Sequence, residues 1–321
     1  MAVYTEVTAE ELADLLAGYD IGRPVSMKGI AEGVENTNYL VTTEQGDFIL
    51  TLYEKRVACG DLPFFIGLLD YLAAQSVPCP VPIHDRAGQV LHTLCDRSAA
   101  LFSFLPGISV RRPSVAQCTA VGAELAKLHL AGRGFDMRRE NDLSLAGWER
   151  LREDLGDHAD ALWEGLGELL DSELAFLRAH WPDDLPDGVI HADLFPDNVL
   201  FLDGDVSGMI DFYFACNDLL AYDIAICLNA WCFEVDHSFN ITKARAFLES
   251  YRSVRPMSAA ETEALPILAR GAALRFLLTR AYDWFHTAPD AYVRPKSPDE
   301  YLRKLRFHQR VKSLSEYGLA P

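Results

Sequence analysis

The sequence lacks a long apolar run. None of its 321 residues belongs to a stretch of about 18 or more uncharged apolar residues, the length that a membrane-spanning helix needs. The first residues, MAVYTEVTAEELADLL, also lack the basic region and apolar core of a signal peptide. We therefore expect no membrane partner and a cytoplasmic location.

Basic residues are scarce. The 29 lysines and arginines face 47 aspartates and glutamates, which gives a formal net charge of -18 at pH 7. A field of this sign repels the phosphate backbone of nucleic acids, so a nucleic-acid partner is not expected. Any site for a nucleotide must recruit its cations locally.

Closely spaced cysteine pairs are also missing. The 7 cysteines are odd in number and include no C-x-x-C pair, so neither a zinc site nor a disulfide framework is indicated. Their mostly apolar surroundings predict reduced, buried thiols. No repeat with a period of about 20 to 50 residues is evident, which excludes a repeat array.

The two parts of the chain differ in pattern. Up to about residue 105, short alternating runs separated by turn residues predict antiparallel strands, with one helix over residues 62–74. After Pro106-Gly107, which interrupts regular structure, the pattern is mainly helical. We therefore predict an α+β fold, with a small sheet domain over residues 1–105 and a larger helical domain over residues 106–321.

Local signals predict individual elements. Capping boxes predict helices after Thr8 and Ser114, the second reaching about Ala131. Apolar periodicity predicts further helices over residues 160–181, 219–231, 243–251, 265–286 and 299–314. Strands are predicted over residues 39–42, 48–53, 89–94 and 99–105, and as a hairpin around the Asp203-Gly204 turn.

The chemically informative segment is HADLFPDN, residues 191–198, followed by Ile210-Asp211-Phe212. Phosphoryl transfer needs a carboxylate to deprotonate the acceptor hydroxyl, oxygen ligands for Mg²⁺ and positive charge around the phosphates. Asp193, Asn198 and Asp211 supply the first two, provided that the loop and the following hairpin bring them around one γ-phosphate. The alternative is an ordinary turn, because each of these residues is common in turns.

The pattern H-x-D-x-x-x-x-N with I-D-F resembles the aminoglycoside-phosphotransferase and choline-kinase-like branch of the protein-kinase-like fold. The resemblance implies two lobes, with a nucleotide-binding sheet lobe and a helical lobe that carries the catalytic loop and the acceptor site. It implies ATP and Mg²⁺ as cofactors, Asp193 as catalytic base and His191 as the scaffold of its loop. It further implies Asn198 and Asp211 as Mg²⁺ ligands, and Asp223 as a brace for the loop from the next helix.

In the first lobe, Gly29, Gly33, Asn36 and Thr37 form a candidate loop over the phosphates, because glycines allow close backbone approach and polar residues supply donors. A plain hairpin turn is the alternative.

The resemblance also implies a hinge. In it, the backbone groups near Ser103 and Leu105 would bond the adenine edge. An ordinary edge strand that ends at Pro106 is the alternative interpretation of this segment.

One position departs from the general kinase pattern. Thr51 stands where a phosphate-binding lysine or arginine is expected, and Lys28, Lys55 and Arg56 are the candidates to replace it. The helix over residues 62–74 has no obvious glutamate to pair with such a lysine. A nucleotide-binding module without turnover is therefore an alternative.

Within this branch the chain resembles the homoserine kinases over nearly its whole length. The resemblance rests on GVENTNY, FILTLYE, HADLFPDN and RGAALRFLLTRAYDW, which are residues 33–39, 48–54, 191–198 and 270–284. Thr51 is also typical of that group. The resemblance implies ATP-dependent phosphorylation of the hydroxyl of L-homoserine, a step of threonine biosynthesis. Choline, an aminoglycoside or another small alcohol is the alternative acceptor.

Homoserine is a zwitterion, so its site needs a cation for the carboxylate and an anion or acceptor for the ammonium group. Arg280 and Asp283 share one helix face and are candidates for the two ends. Arg275 and Trp284 are further candidates on the same helix. The alternatives are a solvated ion pair within the helix and, for Trp284, a position in the core.

Overall fold

The computed structural model describes residues 4–30, 36–54, 59–287 and 295–319. The chain forms two compact units. The first comprises the residues up to Gly107 together with Ser207–Tyr213, and the second comprises Ile108–Val206 and the residues from Phe214 onward. The boundary predicted from the sequence lies between residues 105 and 106, with residues 207–213 in the second domain.

The first unit contains a five-stranded antiparallel sheet and two helices. Its strands run in the order β1-β2-β3-β5-β4. They are β1 (Pro24–Ile30), β2 (Thr37–Thr43), β3 (Gly46–Leu52), β4 (His92–Leu94) and β5 (Arg97–Ser103), and the helices are α1 (Ala9–Leu16) and α2 (Leu62–Ala74).

Sheet and helix α1 share one apolar cluster. Buried and half-buried side chains alternate along β2, as expected for a strand with one face in a core. Val41 and Leu50 of the sheet lie in the same buried cluster as Leu12 and Leu16 of α1. The predicted capping box of α1 is present, because Thr8 and Glu11 bond each other's backbone N–H groups.

The second unit is mainly helical. Its helices are α3 (Val115–Ala131), α4 (Leu145–Leu155), α5 (His158–Leu162), α6 (Leu166–His180), α7 (Leu220–Trp231), α8 (Ile241–Val254), α9 (Ala259–His286) and α10 (Asp299–His308). The strands of this region are β6 (Asp187–Ile190), β7 (Val199–Leu202), β8 (Asp205–Met209) and β9 (Cys216–Leu219). β6 pairs with β9, and β7 pairs with β8. The predicted hairpin is thus confirmed, with Asp203 and Gly204 both at positive φ in its turn.

Some helix predictions were wrong. The helix predicted over residues 160–181 is two helices, α5 and α6, because Gly165 adopts a left-handed conformation with φ of 78° before α6. Helix α4 was not predicted. Helix α9 begins at Ala259 with a capping box from Ser258 and contains Pro266, which the prediction had placed near its start.

Within the described ranges, no helix is both long enough and apolar enough to cross a membrane. Buried free thiols, as predicted from the sequence, are found at Cys79, Cys118, Cys216, Cys227 and Cys232.

Candidate active site

The loop of residues 191–198 connects β6 to β7 in the second unit. It starts where β6 ends in the core, since Ile190 and His191 are fully buried. It closes with the 3₁₀ turn Pro196–Asn198, in which proline occupies the first turn of the helix, where its missing N–H is not needed. Because the loop begins at buried residues and ends in a 3₁₀ turn, the backbone of the residues between them has little conformational freedom.

Asp193 and Asn198 are joined by hydrogen bonds. The Asn198 Nδ2 donates to the carbonyl oxygen of Asp193 at 2.8 Å and to its Oδ2 at 3.3 Å. Since the amide nitrogen faces Asp193, the amide oxygen of Asn198 faces the other way and is the atom that would bind a cation. The N–H of Asp193 in turn donates to Nδ1 of His191 at 3.3 Å. The predicted base, ligand and scaffold residue therefore share one loop.

Asp223 of α7 binds the start of this loop. Its Oδ2 accepts the N–H of His191 at 2.8 Å, and its Oδ1 accepts the N–H of Ala192 at 2.9 Å. Ala192 has a φ of 63°, a left-handed conformation that costs a non-glycine residue roughly 1–2 kcal/mol. The two bonds hold the backbone in this conformation immediately before Asp193.

A buried chain of polar side chains extends from Asp223. His129 Nε2 lies 3.0 Å from Asp223 Oδ2, and both side chains are fully buried. His129 Nδ1 lies 2.6 Å from the hydroxyl of Tyr251, which accepts from Arg255 at 3.2 Å. Arg255 and Glu261 form a buried ion pair at 2.8 Å. The brace of the loop is thus connected to the start of α9.

The pKa of Asp223 lies below its ordinary value despite complete burial. Burial raises the pKa of a carboxyl group, but the hydrogen bond and charge of His129, together with the charge and N–H of His191, lower it more. Asp223 is therefore held as an anion, the form that accepts both backbone N–H groups.

His129 was not among the residues predicted from the sequence. The available signal was a histidine among the apolar residues Leu125, Ala126 and Leu128 of a helical stripe. A buried polar side chain of this kind needs a partner. The partner, Asp223, lies 94 residues away along the chain, so spacing alone does not identify it.

Asp211 follows β8 and belongs to the first unit. Its φ is 65°, so the backbone at this predicted metal ligand is strained as well. The neighbouring Tyr213 packs edge-on against the rings of Tyr53 and Phe65 at 5.6 and 5.7 Å between centroids. A rigid aromatic cluster thus fixes the segment that carries Asp211.

Thr51 lies inside the sheet of the first unit. It is 3% exposed and pairs with Asn38 of β2 in the strand register. Its hydroxyl donates to Asn38 Oδ1 at 2.7 Å. The side chain that replaces the expected lysine therefore has its own partner within the sheet.

Asn36 and Thr37 have internal partners as well. The Thr37 hydroxyl accepts the N–H groups of Tyr4 and Thr5 at 3.0 and 3.2 Å and donates to Glu54 at 2.9 Å. Asn36 Oδ1 accepts the N–H of Glu54 at 3.3 Å. Both side chains are buried, so their hydrogen bonds fix the backbone at the start of β2, next to the predicted loop.

The other predicted nucleotide residues are spread over the first unit. Gly29 and Lys28 are exposed on β1. Gly33, Lys55 and Arg56 lie outside the described residues.

The predicted hinge has a different bonding pattern from the expected one. The N–H of Ser103 donates to the carbonyl of Val81 at 2.8 Å, and its hydroxyl accepts the N–H of Val81 at 2.9 Å. The N–H of Ser103, one of the backbone groups in the predicted hinge, is thus bonded within the unit, and the prediction of adenine contacts near Ser103 and Leu105 stays a prediction. Leu105 packs against Gly208, where an added Cβ would lie 2.7 Å from Leu105 Cδ1.

The predicted substrate residues of α9 separate in the structure. Arg280 pairs with Glu300 of α10 at 2.6 Å, and its side chain is 12% exposed. Trp284 is 46% exposed, so its alternative position in the core was wrong. Arg275 is 1% exposed, and its Nη1 donates to the carbonyl of Ala192.

Glu300 carries an unusually low pKa of about 2. Burial raises the pKa, but the charges of Lys304 and Arg280 and their hydrogen bonds to Glu300 outweigh that effect. Glu300 is therefore an anion between two cations near the end of α9.

The donor set fits a hard cation. No group of three or more His, Cys, Asp or Glu side chains within the described parts of the chain is placed to hold a metal ion. The amide oxygen of Asn198 and the carboxylate of Asp211 are nevertheless the oxygen donors that Mg²⁺ prefers, and Mg²⁺ is commonly bound by one or two protein groups together with waters and phosphates.

A unit built on an antiparallel sheet, followed by a helical unit that carries such a loop on an anionic brace, is typical of phosphotransferases with a protein-kinase-like fold. Comparison with known structures supports this fold. A solved structure of amicoumacin kinase hAmiN in complex with AMP-PNP, Ca²⁺ and Ami matches with a TM-score of 0.68 at 17% identity, covering 94% of this chain and 92% of that chain. The predicted fold class is thus confirmed.

The family follows from the sequence matches. The family described as "Phosphotransferase enzyme family" (APH) matches residues 26–257, and the chain belongs to this family. A homoserine kinase of Afipia carboxidovorans is 61% identical over 320 residues, covering 100% of this chain and 98% of that protein. A homoserine kinase of Azorhizobium caulinodans is 61% identical over 320 residues, covering 100% of this chain and 100% of that protein. The predicted family is confirmed.

Proposed function

We propose that this chain transfers the γ-phosphoryl group of ATP to the side-chain hydroxyl of L-homoserine, a reaction of threonine biosynthesis. The observation that carries the proposal is the 61% identity, over 100% of the chain, with proteins named homoserine kinase. The bonded pair of Asp193 and Asn198 supports the phosphotransfer chemistry.

Asp193 is the proposed general base. Its carboxylate would accept the proton of the homoserine hydroxyl as the oxygen attacks phosphorus. The hydrogen bond from Asn198 and the backbone conformation held by Asp223 limit the positions that this carboxylate can take. An orienting role of this kind is a large part of phosphoryl-transfer catalysis, because the protein does little covalent chemistry itself.

Asn198 and Asp211 are the proposed ligands of Mg²⁺. Bound Mg²⁺ would neutralise negative charge on the phosphate oxygens. The chain has a formal net charge of -18, so it carries no excess of basic residues for this purpose. That the two ligands and Asp193 gather around one triphosphate remains a prediction. So do the nucleotide contacts of Gly29, Gly33, Thr51 and Lys55.

The acceptor site is proposed on α9 and α10. Arg280 is the proposed partner of the homoserine carboxylate and Asp283 that of the ammonium group. Glu300 also binds Arg280, so it would set the charge that the substrate carboxylate meets. Trp284 supplies an exposed apolar surface on the same helix.

An acceptor panel tests the proposal. Purified protein with Mg·ATP would be assayed with L-homoserine, choline, kanamycin and water as acceptors, with formation of ADP and of the phosphorylated product both measured. We expect kcat/KM for L-homoserine to exceed that for the other acceptors by at least about 10-fold.

Two results would contradict the proposal. A preference for choline or kanamycin would move the assignment to another acceptor of the same family. Nucleotide binding without transfer to any acceptor would identify a binding module without turnover.

A further inference from the structure

Arg275 differs from the other buried and half-buried arginines on α9 and just before it. Three of these each pair with a glutamate: Arg255 with Glu261, Arg270 with Glu173 and Arg280 with Glu300. Arg275 is 1% exposed and has no carboxylate partner of this kind within residues 4–30, 36–54, 59–287 and 295–319. Burying a cation is strongly unfavourable, so its position calls for specific contacts, and the charge of the Asp218 carboxylate is one interaction that offsets the cost.

A further contact is with the catalytic loop. Arg275 Nη1 donates to the carbonyl oxygen of Ala192. The guanidinium lies over the rings of Phe276 and Phe214, with its carbon 4.6 and 5.6 Å from their centroids. Aromatic faces attract a cation but do not accept its N–H groups in ordinary hydrogen bonds. In agreement with this, Arg275 Nε has no hydrogen-bond partner in the described part of the chain.

Ala192 is consequently held from two directions. Its N–H is bonded to the Asp223 anion at 2.9 Å, and its carbonyl is bonded to the Arg275 cation. An anion at the N–H and a cation at the carbonyl both match the polarity of the backbone. Together they stabilise the φ of 63° at Ala192, which sets the direction in which the chain enters Asp193.

We propose that Arg275 is a positioning residue for the catalytic loop, acting through the carbonyl of Ala192 on the placement of the Asp193 carboxylate. This inference rests on the proposed function for the identity of the base. It replaces the substrate contact predicted for Arg275 from the sequence, since a side chain that is 1% exposed and bonded to the loop does not present its guanidinium to a soluble ligand.

The first test is a matched pair of conservative substitutions on α9. Arg275→Lys keeps the charge but loses the planar fork that reaches Ala192, and Arg270→Lys makes the same change at the ion pair with Glu173. We expect Arg275→Lys to lower kcat by about 10- to 100-fold, the scale of a small misplacement of a catalytic group, with KM for homoserine and ATP nearly unchanged. Arg270→Lys should lower the Tm comparably but leave kcat within about twofold.

The second test is chemical rescue. Arg275→Ala should lose turnover and regain at least about 10-fold of it when millimolar guanidinium chloride is added, because the ion can occupy the space that the side chain leaves. Tetramethylammonium, which has no N–H donor, should not restore turnover. Circular dichroism would confirm that the variant is folded, and Arg275→Lys carries the test if it is not.

Different results overturn different claims. A rise in the homoserine KM at unchanged kcat in Arg275→Lys would return Arg275 to the substrate site. Equal kcat losses in the two lysine variants, in proportion to Tm, would reduce Arg275 to a structural role. A wild-type enzyme that phosphorylates no homoserine would contradict the proposed function instead, and acceptor-independent ATP hydrolysis would still report the effect of Arg275 on the loop.

Discussion

The two units treat their buried polar groups differently. In the first unit, the predicted nucleotide residues Thr37, Thr51 and Asn36 are neutral and are satisfied within or beside the sheet. In the second unit, the predicted catalytic loop is held by buried charges, above all Asp223 and Arg275. The neutral bond between Thr51 and Asn38 joins two strands of the sheet, whereas charged groups hold a strained loop that neutral groups would hold less tightly.

This difference bears on how substitutions act. Removing the partner of a buried charge strongly lowers the stability of the fold, because the remaining charge is buried without compensation. A lost neutral hydrogen bond costs about 1 kcal/mol. We therefore expect changes in the second unit to affect turnover and stability more than changes in the first.

The largest effect is expected at the proposed base. Asp193→Asn should lower kcat by roughly 10² to 10⁴ while leaving ATP affinity nearly intact, because the amide cannot accept the substrate proton. Steady-state kinetics and nucleotide titration measure the two quantities. Asp197→Asn, at an exposed position of the same loop, is the matched control and should keep wild-type kcat. Full activity in Asp193→Asn would remove Asp193 from the mechanism.

The next effect is expected at the brace. Asp223→Asn should lower the free energy of unfolding by about 3 kcal/mol and should also lower kcat. The reason is that the amide has one acceptor oxygen, whereas the N–H groups of His191 and Ala192 are bonded to two carboxylate oxygens. Asp218→Asn is the control: Asp218 is largely buried and bonds Asn141 and the N–H of Leu219, not the loop, and burial raises its pKa above the ordinary value. Urea unfolding and kcat would be measured for both. Equal effects in the two variants would mean that Asp223 has no special relation to the loop.

A smaller effect is expected in the first unit. Thr51→Val should lower the free energy of unfolding by about 1 kcal/mol, the value of the bond to Asn38. The KM for ATP should stay the same, since that hydroxyl already has a partner within the sheet. Thr42→Val, which removes an exposed bond to Asp47, serves as control. A raised KM for ATP with unchanged stability would assign Thr51 to the nucleotide instead.

A separate effect, confined to low pH, concerns acid stability. Glu300 has a folded-state pKa of about 2 against an ordinary value of 4.5, so its contribution to stability is present above pH 4.5 and is lost as the pH falls toward 2. Glu300→Gln should therefore reduce the fall of Tm with falling pH below about pH 4.5. Between pH 5 and 7 the Tm of the variant should vary with pH as that of the wild type does. An acid limb identical to that of the wild type would show that the cations beside Glu300 do not hold its charge.

Local chemistry explains which parts of the fold were predictable from the sequence. The capping boxes at Thr8 and Ser114 and the Asp203-Gly204 turn depend on neighbouring residues, and all are present in the structure. The catalytic-loop motif was recognisable because its residues lie within eight positions of one another.

Long-range partners explain the rest. Arg275 meets Ala192 across 83 residues, and Thr37 meets Tyr4 across 33, so no local pattern records either contact. Arg280 was matched to Asp283 because they share a helix face, and packing of α10 against α9 adds Glu300 as an ion-pair partner. Sequence periodicity identifies faces, and only the packed structure identifies the partners.

The most direct test of the account is the Mg²⁺ dependence of nucleotide binding. Calorimetric titration of a non-hydrolysable ATP analogue at increasing Mg²⁺ would be performed on the wild type, Asn198→Ala and Asp211→Asn. If both residues bind the metal, each variant should need at least about 10-fold more Mg²⁺ for the same nucleotide affinity. A variant that responds to Mg²⁺ as the wild type does would contradict the proposed role of the substituted residue as a Mg²⁺ ligand.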